Sequence, residues 1–73
     1  MPLKKVSEAS VDYPTIVVID HKTRVIEARD GSQWVVQRRA DKAGWLAWMY
    51  FHTRAGILHY YRTPELEALP ERL

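Results

Sequence analysis

The chain of 73 residues contains no cysteine. Disulfides and thiolate metal sites are therefore excluded, although a chain this short has room for one small core and commonly needs such reinforcement. Stability must come from the three Trp, four Tyr and one Phe, or from self-association into a homodimer, and the sequence leaves both open. We interpret residues 1–73 as a single small domain suited to a reducing cytoplasm.

Long apolar runs are also missing. No uncharged stretch approaches the about twenty residues that a membrane-spanning helix needs. Residues 1–10 contain Lys4 and Lys5 but no apolar segment behind them, which is not typical of a signal peptide. We therefore expect a soluble, cytoplasmic protein without a membrane partner. Residues 1–13 are polar and aperiodic, and we predict a loosely ordered N-terminal arm there.

Excess charge is small, with a net charge of +2 and a sequence pI near 9.2. The charges are unevenly distributed, since residues 1–62 hold ten Lys/Arg against six Asp/Glu, whereas residues 63–73 hold one against three. A basic body favours nucleic acid or an acidic protein surface as a partner. An ordinary solvated surface is the simpler explanation of so small an excess.

The clearest structural signal is a β-hairpin around Asp30-Gly31. Two runs rich in strand-forming residues, 23–29 and 32–39, flank this dipeptide, which favours a type I′ turn with positive φ at both central positions. A two-residue loop fixes the pairing of the two strands, and paired residues share a face of the sheet. The better core face carries Val25, Glu27, Trp34, Val36 and Arg38, while the other face is mixed and can contact water.

A further strand is predicted over residues 45–52. A four-residue loop before it pairs Ala40 with Trp45 and places Phe51 across from Trp34. A five-residue loop would turn every side chain of this strand to the opposite face. We prefer the four-residue loop because it brings the two large aromatic side chains together.

The remaining elements are a strand at the start and helices at the end. Residues 15–20 are β-branched without alternation, which is typical of a strand buried on both faces or of an edge strand. Thr53 is a candidate helix N-cap, and Ile57, Leu58 and Tyr61 follow it as an apolar stripe. The predicted fold class is α+β, with an antiparallel sheet of three to four strands at 15–20, 23–29, 32–39 and 45–52, a C-terminal helix at 54–62 and a short helical turn at 64–69.

Catalytic and metal-binding signals are weak. His21, His52 and His59 form no compact ligand pattern, so ordinary surface histidines are favoured over a metal site. Glu27, predicted beside Trp34, is a candidate general acid if its pKa is raised, but an ion pair with Arg29 or Arg38 is the simpler interpretation. Neither a nucleophile elbow nor a glycine-rich phosphate loop is present. We predict no enzymatic activity, no catalytic residue, no metal and no cofactor.

The mixed face of the sheet is the best candidate for binding, because it combines aromatic, basic and amide side chains. Single-stranded nucleic acid binds such surfaces by stacking and phosphate neutralisation. Protein interfaces are enriched in the same residue types. A third interpretation is a second small core, covered by residues 1–20 or by another copy of the chain. The candidate binding residues are Arg24, Gln33, Gln37, Arg39, Trp48, Tyr50 and His52.

The segment Trp34-Val35-Val36-Gln37-Arg38-Arg39, followed by Trp45 and by Thr53-Arg54-Ala55-Gly56-Ile57-Leu58, resembles small uncharacterised proteins encoded by phages and prophages of proteobacteria. The resemblance covers about residues 34–58. It implies a mobile-element setting, in which small proteins bind host enzymes, defence complexes such as CRISPR effectors, or nucleic acid. We therefore predict a non-catalytic protein-binding module, with a nucleic-acid-binding domain as the alternative.

Overall fold

The computed structural model describes residues 7–42 and 44–73, so residues 1–6 of the expected arm and Ala43 of the expected loop lie outside it. Four antiparallel strands form one sheet in the order β1-β2-β3-β4, followed by two short helices. The sheet dominates the fold, and the helical part is smaller than expected. The elements are β1 (Val17–Asp20), β2 (Thr23–Glu27), β3 (Trp34–Ala40), β4 (Gly44–Phe51), α1 (Arg54–Leu58) and α2 (Pro64–Glu67).

The hairpin of β2 and β3 has the predicted register, with Glu27 opposite Trp34. Its turn is not type I′, because only Gly31 has positive φ, at 73°, and no described residue other than glycine does. The Gly31 amide donates to the Ala28 carbonyl at 2.8 Å, and Ser32 N–H donates to Asp30 Oδ1 at 3.0 Å. The Asp30 side chain thus closes the loop itself, and the paired strands end earlier than predicted.

The predicted pairing of β3 with β4 is correct at one end only. Phe51 lies opposite Trp34 as predicted, but Ala40 pairs with Gly44 instead of Trp45. Gly44 has a φ of 79°, which lets the chain turn back one residue earlier than a four-residue loop allows. Between Val36 and Gln37 of β3 the register shifts by one residue, and this shift absorbs the extra residue of β4. This β-bulge reverses the face of the first half of β4 relative to the prediction.

The main core lies on the face of Val25, Trp34 and Val36, as predicted, and both helices pack against it. Thr53 caps α1 by accepting from the Gly56 amide at 3.1 Å, and Ile57 is fully buried. The helix ends at Leu58 rather than residue 62. Tyr60 and Tyr61 both donate their amides to the Ile57 carbonyl, which tightens the chain into a turn. The second helix contributes buried Leu66, and Leu69 follows it into the core.

The first strand is an edge strand, since only β2 lies beside it in the described sheet. Its side chains alternate despite the uniform sequence, with Val17 buried, Val18 exposed and Ile19 half-buried. It begins at Val17 instead of residue 15. Of the two interpretations of this run, the edge strand is the one observed.

Candidate interaction surface

The face predicted to contact water is covered over much of its area by residues 7–15. Arg24, predicted to be solvent-facing, is only 3% exposed. Its guanidinium donates to the carbonyls of Glu8 and Ser10, both at 2.9 Å, and to Gln37 Oε1 at 2.7 Å. These acceptors are all neutral, so the cation is held by dipoles rather than by a carboxylate. Burial lowers the pKa of the Arg24 guanidinium, which nevertheless stays charged as arginines do.

Gln37 and Tyr13 complete this covered area. Gln37 is 2% exposed and donates from Nε2 to the Glu8 carbonyl at 2.9 Å. Tyr13 packs on Ile26 and Val35, and its hydroxyl donates to the Glu27 carbonyl at 2.8 Å. Burial, with a further contribution from the Glu8 charge, raises the pKa of the Tyr13 phenol. A second small core under the N-terminal segment therefore occupies this part of the proposed binding face.

The other five candidate binding residues do not form one surface. Trp48 is 56% exposed and lies with Arg38, which belongs to the opposite face. Tyr50 is 57% exposed on the mixed face, opposite Val35. Arg39 and His52 are exposed and Gln33 is half-buried. The β-bulge is the reason for this separation, because it places Trp45 rather than Trp48 beside Arg24, with the guanidinium 4.5 Å from the ring centroid.

Four exposed apolar side chains lie along β4, and exposure was predicted for two of them, Trp48 and Tyr50. All four are more than half exposed and lie on this edge strand or against its last residue. Tyr60 reaches the strand through Phe51, with ring centroids 5.7 Å apart. We call these side chains and the outer backbone of β4 the β4 edge surface, whose side chains are Leu46, Trp48, Tyr50 and Tyr60.

The backbone of β4 is unpaired on its outer side along its central part. Arg39 N–H donates to the Lys22 carbonyl, so the odd-numbered residues of β3 point their backbone groups towards β2. Their partners in β4, which include Ala47 and Tyr50, therefore point outwards. Within the described chain, the sheet ends at β4 and no strand lies beyond it.

The chain itself contacts both ends of this outer edge. Trp45 N–H donates to the Ala9 carbonyl at 2.9 Å, and beyond β4 the Arg54 amide donates to the Glu71 carbonyl at 2.9 Å. Arg72 also forms an antiparallel bridge with Thr53. A turn of the N-terminal segment and the C-terminal residues thus contact the two ends of this edge, with an open stretch between them.

Arg38 stacks on Trp48, with the guanidinium carbon 5.1 Å from the ring centroid. The pairing of Leu46 with Arg38 puts a second exposed apolar side chain beside this stack. The cation and the indole ring attract each other through the ring quadrupole and hold a flat amphipathic surface in place. Arg38 is engaged here, and no ion pair between Arg38 and Glu27 is found among the described residues.

The acidic and histidine side chains form no metal-binding group in the described part of the chain. No group of three or more potential metal ligands occurs in residues 7–42 and 44–73. Hydrogen bonds lower the pKa values of two aspartates, Asp20 chiefly through the Lys22 amide and Asp30 chiefly through the Ser32 hydroxyl. Both carboxylates therefore stabilise turns, by accepting from the Lys22 and Ser32 amides.

The fold is that of a small protein with a four-stranded antiparallel sheet and short helices. Comparison with protein-family models, with curated proteins and with solved structures finds no match for this chain. No helix among the described residues is long and apolar enough to cross a membrane.

Proposed function

We propose that this protein is a non-catalytic protein-binding module whose contact area is the β4 edge surface. The observation that carries the proposal is the exposure of Leu46, Trp48 and Tyr50 on one unpaired edge strand. Trp48 lies on one face of the sheet and Tyr50 on the other, and exposed Tyr60 lies against Phe51 at the end of the strand. Trp and Tyr are enriched among the residues that dominate binding energy, and clustered exposed apolar side chains are typical of interaction sites. Arginine is the third residue type enriched at such sites, and Arg38 supplies it by stacking on Trp48.

The class of partner follows from the resemblance to phage and prophage proteins. We propose a host enzyme or a defence complex in the bacterial cytoplasm, because small proteins of mobile elements act there by binding. The β4 edge surface contributes contact area and hydrogen bonds to the partner and takes part in no catalytic step.

The test is affinity capture from a proteobacterial lysate with three versions of the chain. Trp48→Ala is expected to lose the partner captured by the wild type, because removing a central aromatic contact costs about 2 kcal/mol or more at a binding hot spot. Val18→Ala is the matched control, since Val18 is 66% exposed but lies on the opposite edge strand. A partner retained by Trp48→Ala, or lost equally with Val18→Ala, would contradict the proposal.

Nucleic acid is the second candidate, and the observation in its favour is the exposed Arg38–Trp48 stack with Arg39 on the same strand. Affinity for a single-stranded oligonucleotide would then fall steeply with salt, because each phosphate contact releases counterions. Arg39→Ala would lower the salt slope by about one contact, and Trp48→Ala would weaken binding by about 1–3 kcal/mol with the slope kept. Absence of binding at low salt would eliminate this candidate.

A further inference from the structure

We propose that a cavity between the N-terminal segment and the turn from β2 to β3 takes an arginine side chain of the protein partner. The cavity measures about 360 Å³, within the range of about 300–1,000 Å³ that is typical of sites for small ligands. Its lining consists of Tyr13, Pro14, Ile16 and residues 27–31. This inference rests on the proposed function, because it names one chemical group of the partner and the place where that group binds.

One part of the lining is apolar and belongs to the residues that lead into β1. The Tyr13 ring packs on Ile26 and Val35, and its hydroxyl donates to the Glu27 carbonyl at 2.8 Å, so the ring is held in place. Pro14 is exposed beside it, and Ile16 is 44% exposed. This uncovered apolar surface suits the three methylene groups of an arginine stem, which bury well while the charged end stays polar.

The other part of the lining is acidic, although the whole chain has a net charge of +2. Glu27 and Asp30 contribute carboxylates to the cavity, and Glu8 reaches its rim by accepting from the Arg29 amide at 2.8 Å. Burial is the main cause of the raised pKa of the Tyr13 phenol, and the three carboxylate charges raise that pKa further, whereas the Arg29 charge lowers it. Three anionic groups thus act on this place against one cationic group, which favours a cation as the occupant.

Glu27 is the carboxylate that is best placed to bind the cation. Its Oε2 would lie 3.4 Å from a Cβ added to Gly31, so it lies beside the turn that lines the cavity. Glu27 is half-buried, and no ion pair of its carboxylate is found among the described residues. Asp30 is already engaged, since its Oδ1 accepts from both the amide and the hydroxyl of Ser32. A guanidinium can bind one carboxylate through two parallel hydrogen bonds, which an ammonium group cannot do, and this selects arginine over lysine.

Tyr50 connects this cavity with the β4 edge surface. A second cavity, of about 280 Å³, shares residues 28–30 with the first and is also lined by Glu8, Gln33 and Tyr50. A partner that covers exposed Tyr50 therefore lies next to the acidic lining, and one of its arginines can enter the cavity from there. The carboxylates repel phosphates, so a nucleic acid does not fit this position.

The experiment titrates the full chain, labelled with ¹⁵N, with three small probes and follows the amide signals by NMR. The probes are N-acetyl-arginine amide, N-acetyl-lysine amide and N-acetyl-citrulline amide, the last of which replaces the guanidinium by a neutral urea group of nearly the same shape. The arginine probe is expected to shift the amides of Ile16, Ala28 and Gly31 in a saturable way, with a dissociation constant of about 1 mM. The other two probes should bind at least about fivefold more weakly.

Two matched variants connect the cavity with the partner. Glu27→Gln removes the charge and keeps the shape, and it should weaken the arginine probe at least about fivefold. Glu65→Gln removes an exposed carboxylate of α2 that does not line the cavity, and it should have no effect. In the lysate capture, Glu27→Gln should recover at least about threefold less partner than Glu65→Gln does. Trp48→Ala should lose the partner but bind the arginine probe as the wild type does.

Equal binding of the arginine probe and either of the other two probes, or equal affinity of Glu27→Gln and the wild type, would overturn the inference. Shifts of the same amides on raising the protein concentration alone would assign the cavity to a second copy and overturn it as well. If Glu27→Gln retains the lysate partner that Trp48→Ala loses, the inference about the cavity fails while the proposed function stands.

Discussion

Arg24 shows how a charged residue can serve the fold instead of a ligand. The sequence places it on a strand face with other polar residues, and this pattern predicts exposure. The acceptors that bury it are main-chain carbonyls of Glu8 and Ser10, and any residue type has a carbonyl. The amino-acid composition therefore carries no signal for this set of hydrogen bonds around Arg24. The seven candidate binding residues do not share one exposed face, for that reason and because of the β-bulge.

Arg24→Met tests this structural role. The substitution keeps much of the side-chain volume but leaves two carbonyls of the arm and the Gln37 amide oxygen without their donor. We expect a loss of about 2–3 kcal/mol in the free energy of unfolding, measured by urea denaturation. Arg39→Met, at an exposed position of the neighbouring strand, is the control and should change stability by less than about 0.5 kcal/mol. Similar losses for the two variants would contradict the account.

The N-terminal segment makes contacts that its sequence does not reveal. Loose order was predicted for residues 1–13, and residues 7–15 lie across the sheet and make hydrogen bonds to Arg24, Gln37 and Trp45. By contrast, the pairing of β2 with β3 was predictable residue by residue. Its signals are local, since a short turn and two β-branched runs determine the register.

Two glycines with positive φ provide a matched test of the contact between the arm and β4. At Gly31 an added Cβ would lie 3.4 Å from Glu27 Oε2, whereas at Gly44 it would lie 2.5 Å from the Ala9 carbonyl oxygen. Gly31→Ala should cost about 1 kcal/mol from its φ. Gly44→Ala should cost at least about 1 kcal/mol more, because the backbone of the arm must move. Equal losses in thermal or urea denaturation would mean that the arm does not lie against Gly44.

The attachment of the arm should also weaken at alkaline pH. The pKa of Tyr13 is raised above its ordinary value of 10.0, so the protonated phenol is favoured in the folded state. Its contribution to stability is complete below that value and is lost as the pH rises through the higher folded-state pKa. Wild type should therefore lose unfolding free energy more steeply above pH 10 than Tyr13→Phe, in urea titrations at several pH values. Parallel pH profiles for the two proteins would refute this role.

At the scale of the whole molecule, the sheet has two open edges of different character. The edge at β1 is short and carries Asp20, whereas the edge at β4 is longer and has no charged residue. An uncharged aromatic strand is visible in the sequence, but its meaning depends on strand order. The observed order β1-β2-β3-β4 places it at the rim, and the sequence left its side chains divided between two possible loop lengths.

The central claim is that the outer edge of β4 is open between its two ends. Amide hydrogen exchange followed by NMR tests it most directly. The amides of Leu46 and Met49 point towards β3 and should be protected, while those of Ala47 and Tyr50 point outwards and should exchange rapidly. Protection of Ala47 and Tyr50 equal to that of Leu46 and Met49, at every protein concentration, would show that the edge is already covered and would contradict the account.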